Sequence, residues 1–361
     1  MLAPFFVLSA AVEGPCDIYA RNGSPCVAAH SLTRALYGHT TGPLFAVQNM
    51  ATGAVMDIHT TSVGGVADSG AQDDFCGASV CIVQRIYDQS PMQNHLGIEK
   101  GPRILGPPRG LDDRGVNVSR DTMVLLGGHP VYSAYFSGMP HESRTAGQGY
   151  SNRTARGTAV GDQPQSMYVV VSGRHQNNIC CFDYGNAENA TGLAHGAFVD
   201  GAMEAVYFGS GYAPTGPGSG PGPWVGADIE NGIYEGSSAH ATQPSLPPID
   251  FRVGMLKGDS GNHYSLLSGD AQKPDSLKVL YDGPRPAGYE VMHKGGAIVL
   301  GIGGDNSPWA AGTFYEGVMT AGYASSEADT AVMANIVAAG YAKAETGSAG
   351  AGGMVERAAV A

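Results

Sequence analysis

Charge is scarce in this chain. Asp, Glu, Lys and Arg together make up 14% of its 361 residues, against about 25% in an average soluble domain. Cations are the scarcer half: 20 Lys and Arg face 32 Asp and Glu, for a net charge of −12. That balance argues against nucleic acid or an anionic membrane as partner and suits a neutral substrate. No stretch approaches the ~20 apolar residues of a bilayer-spanning helix. The six cysteines contain no Cys-x-x-Cys and the histidines no His-x-x-x-His, so the spacing offers no zinc site. Gly301-x-Gly303-x-x-Asn306 lacks the third glycine of the phosphate-cradling fingerprint. No cofactor is expected.

Glycine is abundant, with 54 residues, and Tyr (17) outnumbers Phe (10). Low charge with many Gly and Pro fits a turn-rich all-β protein with a large core. Met167 to Ser172 is the clearest strand, and Pro43–Asn49, Val80–Tyr87 and Glu204–Gly209 read likewise. Further strands are expected near 225–234, 249–257, 263–268, 277–281, 296–301 and 312–319. That cadence is what a β-sandwich or jelly roll produces. Residues 97–165 read as strands joined by long loops, and 213–223 as a loop. Short helices are expected at Ala28–Tyr37 and at Ser326–Tyr341, the second opened by a Ser326-x-x-Asp329 capping box. Residues 14–343 form one domain, with no internal repeat.

The ends differ from the middle. Leu2–Val12 is apolar and closes on Ser9-Ala10-Ala11, which suits signal-peptide cleavage, although the first basic residue is Arg21. Residues 1–13 are therefore expected to be a leader, clipped or mis-started, and 344–361 a disordered Gly/Ala/Ser tail. Six cysteines allow 15 pairings, and their spacing favours three local ones: Cys16 with Cys26, Cys76 with Cys81, and Cys180 with Cys181. Asn-x-Ser/Thr sequons stand at Asn22, Asn117, Asn152 and Asn189. Disulfides and sequons both suit a secreted glycoprotein.

Three places carry candidate chemistry. Ala297–Leu300 is a short buried-strand pattern ending in glycines at 301, 303 and 304 and one acid, Asp305. A carboxylate at the lip of a rigid strand is a usual mounting for a catalytic acid, yet on the stretch alone a plain turn is the commoner reading. In Trp224-Val-Gly-Ala-Asp228-Ile-Glu230-Asn231, strand alternation puts Trp224, Gly226, Asp228 and Glu230 on one face. An exposed polar face would look the same. The chain has only two tryptophans, Trp224 and Trp309, each within six residues of a candidate acid. Aromatic faces beside carboxylates are how sugars are held. Adjacent Cys180 and Cys181 are the oddest feature, because Cα atoms ~3.8 Å apart across a trans peptide lie short of the ~4.4–6.8 Å that disulfides span.

Together, Gly14-Pro-Cys-Asp-Ile-Tyr19, Cys26-Val-Ala-Ala-His-Ser31, Tyr87-Asp-Gln-Ser90, Cys180-Cys-Phe-Asp-Tyr-Gly-Asn186, Asp228-x-Glu230-Asn231 and Gly301-Ile-Gly-Gly-Asp-Asn-Ser307 resemble the fungal α-L-arabinofuranosidase B family of retaining glycoside hydrolases. The motifs run in order from about residue 14 to 343. The resemblance implies a β-sandwich catalytic domain that removes terminal arabinofuranosyl groups from arabinan and arabinoxylan side chains. It implies Glu230 as nucleophile and Asp305 as general acid/base. Asp228, Asn231 and Gly304 match substrate-contacting positions, and a Cys180–Cys181 disulfide matches a wall of the sugar subsite. Glu230 is expected to be kept charged by amide donors such as Asn231, and Asp305 to be raised by burial and by Glu230.

The chain departs from the family pattern at Gly232, at Pro91-Met92-Gln93, at Pro308-Trp309 and in extra sequence at 193–202. The C-terminal arabinose-binding domain of many members is expected to be absent. A monomer is expected. The rival readings are a catalytically dead glycan-binding sandwich and a retaining β-D-xylosidase.

Overall fold

The computed structural model describes residues 13–101, 112–118, 122–139, 146–189, 199–211, 221–238 and 243–344. The leader, nearly all of the tail and most of the 193–202 and 213–223 segments lie outside the described residues. Two antiparallel sheets form the body, as the strand cadence predicts. The first orders Cys26–Ser31, Ala311–Ala321, Gln165–Gln176, Phe251–Gly258, Tyr264–Asp270 and Lys278–Gly283, with Ala134–Ser137 also beside Ala311–Ala321. The second runs Ile233–Tyr234, Trp224–Asp228, Glu204–Gly209, Asp183–Ala187, Ala297–Leu300, Tyr150–Asn152, Leu96–Ile98, Cys81–Ile86, Phe45–Asn49 and Val55–Ile58, with Asn117–Val118 also beside Cys81–Ile86.

Alternation in the second sheet decides what is core and what is site. Tyr184 is paired with Val206 and Leu300, Val206 with Ala227, and Phe208 with Val225. These side chains join the main core against the first sheet, where Gly254 leaves room for Val206 and Val225. The residues between them point the other way. Asp183, Tyr207 and Gly226 are level with one another, as are Ala205 and Asp228. Apolar Ala187, Met203, Ala205, Ala297, Val299 and Ile302 form a smaller cluster of their own. The acids of interest belong to this second face.

Two local expectations are corrected. Ala28–Tyr37 is not a helix: Cys26–Ser31 is a strand, with Ala28 level with Met319 and Ala29 with Val318. Helix propensity is a weak bias even for alanine, the best helix former, and pairing along the long Ala311–Ala321 strand overrides it. Helices stand instead at Pro15–Arg21, where the Gly14 N–H donates to Asp17 at 2.8 Å, and at Ser69–Cys76, where the Ala71 N–H donates to Asp68 at 3.0 Å. The last helix, Ser326–Ala338, is capped by Ser325, whose hydroxyl oxygen accepts from the Ala328 N–H at 3.2 Å. The expected box at Ser326 is one residue late. All three disulfides are present as paired from spacing, Cys16–Cys26, Cys76–Cys81 and Cys180–Cys181, and the peptide between the last two is cis.

Candidate active site

The strand Trp224–Asp228 ends at Asp228, and Glu230 lies beyond it at φ 63°, followed by Asn231 at φ 57°. Alternation therefore does not place Glu230; a left-handed turn does. The turn is held by the Glu230 N–H donating to Asp228 Oδ1 at 3.2 Å and the Tyr289 hydroxyl donating to the Glu230 carbonyl at 2.7 Å. Asn231 Nδ2 donates to Asp200 Oδ1 at 2.8 Å. Gly232 is accounted for by packing: a Cβ there would run into the Tyr234 ring.

Asp305 follows the strand Ala297–Leu300 across the glycine turn. The Ser307 hydroxyl donates to Asp305 Oδ1, and the Asn306 N–H donates to the Gly303 carbonyl at 3.0 Å. The same turn meets the vicinal disulfide, since the Cys181 N–H donates to the Ser307 carbonyl at 3.3 Å. Cys181 Sγ lies 3.3 Å from Asp228 Oδ2. Both sulfurs and an Asp228 oxygen fall within 4.8 Å of one another. Bonded to each other, the sulfurs are not thiolates and offer no metal site.

The fold thus brings Asp228, Glu230, Asp305 and the disulfide together, and adds two acids the sequence reading missed. Asp183 lies on the same sheet face as Asp228, two strands away. Glu188 packs on Gly304, where any Cβ would overlap its carboxyl. Arg153 ties the two backbones: its Nη1 donates to the carbonyls of Glu188 and Gly304, each at 2.9 Å. Its other nitrogens pair with Glu99 at 3.2 Å. A cleft of about 360 Å³ lined by Glu188, Asn189, Val199 and His293, among others, opens beside the cluster.

Five acids so close cannot all be ionised. Burial, then Glu188, pushes the Glu230 carboxyl far above the usual carboxylate range. This corrects the expectation of a nucleophile kept charged by amides. Burial raises Asp183 strongly and Asp228 to about 7. Asp305 is raised by burial as expected; the Ser307 hydroxyl opposes the rise and the Glu188 carboxylate adds to it. The tryptophans also differ from expectation. Trp224 is 3% and Trp309 2% exposed, so neither offers an open ring face.

A family model described as "Alpha-L-arabinofuranosidase B, catalytic" matches residues 15–342. The chain belongs to that family. An Aspergillus fumigatus relative named probable alpha-L-arabinofuranosidase B is 46% identical over 344 residues, covering 93% of this chain and 64% of its own length. A Trichoderma koningii relative named arabinofuranosidase/B-xylosidase is 45% identical, covering 92% of this chain and 64% of its own. This arabinofuranosidase B family chain thus spans less than two thirds of those curated relatives. Among solved structures, an arabinofuranosidase complexed with arabinofuranosyl-α-1,2-xylobiose superposes with a TM-score of 0.83 at 40% identity, covering 92% of this chain and 66% of that one. A glutamate-to-glutamine mutant of a GH54 α-L-arabinofuranosidase, soaked with 4-nitrophenyl α-L-arabinofuranoside, matches at 0.81 with the same identity and coverage.

Asp183 was legible in principle, since it sits inside the Cys-Cys-Phe-Asp motif that carries the family resemblance. Glu188 and Tyr289 left no such signal. They reach the site through sheet register and a loop, neither of which local spacing reveals.

Proposed function

We propose that the protein is a secreted, exo-acting, retaining α-L-arabinofuranosidase that removes terminal arabinofuranosyl groups from arabinan and arabinoxylan. The observation that carries it is the meeting of Glu230 and Asp305, 75 positions apart in the sequence, in one buried acidic cluster walled by the vicinal disulfide. A retaining glycosidase needs one carboxylate to attack and one carboxylic acid to protonate the leaving oxygen. Glu230 takes the first role and Asp305 the second. Asp228 and the backbone at Gly304 meet sugar hydroxyls, and Asn231 lies at the rim. Asp305 must hold its proton until it passes it on, and its raised position supports that. Activity therefore falls on the alkaline side as Asp305 ionises.

Three disulfides suit an oxidising compartment. The substrate reading rests on family membership and on the arabinofuranosyl ligand of the solved relative. The test is hydrolysis of 4-nitrophenyl α-L-arabinofuranoside, with the anomeric configuration of the first product read by NMR. Wild type should turn over with retention and Glu230→Gln should not. Asp305→Asn should lose unactivated arabinosides first, because nitrophenol leaves with little acid assistance. Inversion, or full activity of Glu230→Gln, would refute the assignment. A glycan-binding sandwich would bind without turnover in wild type. β-D-Xylosidase activity is a second reading, favoured by the name of the Trichoderma koningii relative; assaying 4-nitrophenyl β-D-xylopyranoside alongside decides it.

A further inference from the structure

Beside the acidic cluster lies the cleft of about 360 Å³ that Glu188 borders, and neither carboxyl of double displacement lines it. Its walls are backbone segments bonded to one another. The Gly161 N–H donates to the Lys294 carbonyl at 2.9 Å, and the Lys294 N–H donates back to Gly161 at 3.2 Å. The His293 N–H donates to the Gly201 carbonyl at 2.8 Å, and the Gly295 N–H to the Ala202 carbonyl at 3.0 Å. Gly295 has to be glycine, because a Cβ there would meet Glu188 Cα and the Ala187 carbonyl. The cleft is therefore pre-formed, as small-molecule sites usually are.

The same backbone ties the cleft to both reacting groups. Gly201 donates its N–H to the carbonyl of Ile229 at 2.8 Å, one residue before Glu230. At the other end Glu188 packs on Gly304, one residue before Asp305. The leaving oxygen takes its proton from Asp305, and the cleft adjoins the turn that carries that acid. Val199 and Ala202 belong to the extra sequence at 193–202, so this wall is where the chain departs from the family pattern. The lining suits a neutral sugar. Val160 and Val199, 49% and 44% exposed, offer apolar surface to a carbon face, while the exposed Asn189 and His293 offer an amide and an imidazole to hydroxyls. Lys294 also lines the cleft, but it is buried and paired with Glu204 at 3.3 Å, so its charge is not presented to an anion.

We propose that this cleft is the leaving-group subsite: it holds the pentose unit to which the terminal arabinofuranosyl residue is attached, with Val160 and Val199 against its carbon face and Asn189 and His293 on its hydroxyls. The inference rests on the reading of Glu230 and Asp305 as the reacting pair. The xylose of arabinoxylan and the arabinose of arabinan share this chemistry, a neutral pentose with ring hydroxyls, and the arms of the test tell them apart.

Steady-state kinetics of the full chain on three substrates test this: arabinofuranosyl-α-1,2-xylobiose, arabinobiose and 4-nitrophenyl α-L-arabinofuranoside. Two unlike variants are compared with wild type. Val199→Asp sets a carboxylate on the apolar wall at an exposed position, and the double variant Asn189→Ala/His293→Ala removes the hydroxyl partners. In both, kcat/KM on at least one of the two sugar substrates should fall about tenfold relative to the nitrophenyl glycoside, the order of one to two neutral hydrogen bonds. The fall should lie in KM, because the cleft binds without touching the reacting atoms. The sugar substrate that loses most names the pentose the cleft holds. If the ratios of both sugar substrates to the nitrophenyl glycoside stay at wild-type values in both variants, the proposal is overturned. A wild type that hydrolyses none of the three removes the reading of the reacting pair instead. NMR titration with xylobiose and arabinobiose then reports on the cleft alone: weaker binding by Val199→Asp keeps it as a sugar site, and equal binding by wild type and variant removes it.

Discussion

The hydroxyl of Tyr289 donates to the backbone carbonyl of Glu230 at 2.7 Å. Glu230 and Asn231 both occupy the left-handed region, at φ 63° and 57°, where a non-glycine residue costs roughly 1–2 kcal/mol. The turn that aims Glu230 is thus unfavourable by itself and is held by its surroundings. Tyr289→Phe removes the hydroxyl and keeps the ring, which packs edge-on to Tyr234 at 5.4 Å. The expected outcome is a fall in kcat of about tenfold from one lost hydrogen bond, with little change in KM. Steady-state kinetics on the nitrophenyl arabinofuranoside check it. Unaltered kcat would mean the turn holds without the tyrosine.

Gly304 is the position where the acid-bearing turn and Glu188 come closest, and a Cβ there would overlap the Glu188 carboxyl. Gly304→Ala must displace either Glu188 or the turn carrying Asp305. Forced overpacking of this kind costs about 1–3 kcal/mol. Stability should drop by that order in denaturant unfolding, and activity should drop further, because a shift of even an ångström at a reacting carboxyl is severe. Alanine with unchanged kinetics would show that Glu188 moves aside without consequence.

How much of this was legible in the sequence follows from which physics each feature uses. Strands such as Glu204–Gly209 and Ala297–Leu300 announce themselves because apolar, β-branched runs between glycines have few other uses. The face of Asp228 followed from alternation, and Asp305 from the glycines before it. Alternation failed at Glu230, because it holds only while the strand lasts and the strand ends two residues earlier. The helix expected at Ala28–Tyr37 failed because alanine propensity is worth less than pairing to a central strand. Glu188 was invisible for a different reason. A buried acid without a donor looks like any other acid until the register that buries it is known.

The acidic cluster sets the sign of the pH dependence of stability. Asp183, Asp228, Glu230 and Asp305 are all raised by burial above their unfolded values. Between those two values the folded state holds more protons than the unfolded one, so stability declines as pH rises. The cluster should therefore make the protein more heat-stable at about pH 5 than at about pH 8, as thermal unfolding across that range can show. Asp183→Asn removes one acid that has no donor among the described residues. It should raise Tm at pH 8 by about 2 °C or more and narrow the difference between the two pH values. A steeper pH dependence in the variant would contradict this account.

The buried pairing of Glu204 works with the opposite sign. Its carboxylate meets Arg285 at 2.8 Å and Lys294 at 3.3 Å, with all three side chains at most 1% exposed. Gln165 donates to it as well, at 2.9 Å. Burial alone would raise Glu204, yet the two cations bring it below its ordinary value. That contribution is present above the unfolded value and is lost as pH falls through the folded one. Glu204→Gln would leave two cations buried with no opposite charge, a loss of about 3–5 kcal/mol. For a chain of this size that corresponds to a fall in Tm of about 4–7 °C. Adding Lys294→Met to Glu204→Gln removes one stranded cation and should restore part of the fall. If Glu204→Gln melts with wild type, the cations find other partners and the pairing does not hold the sheet; if the double variant melts lower still, Lys294 stabilises by packing rather than by charge.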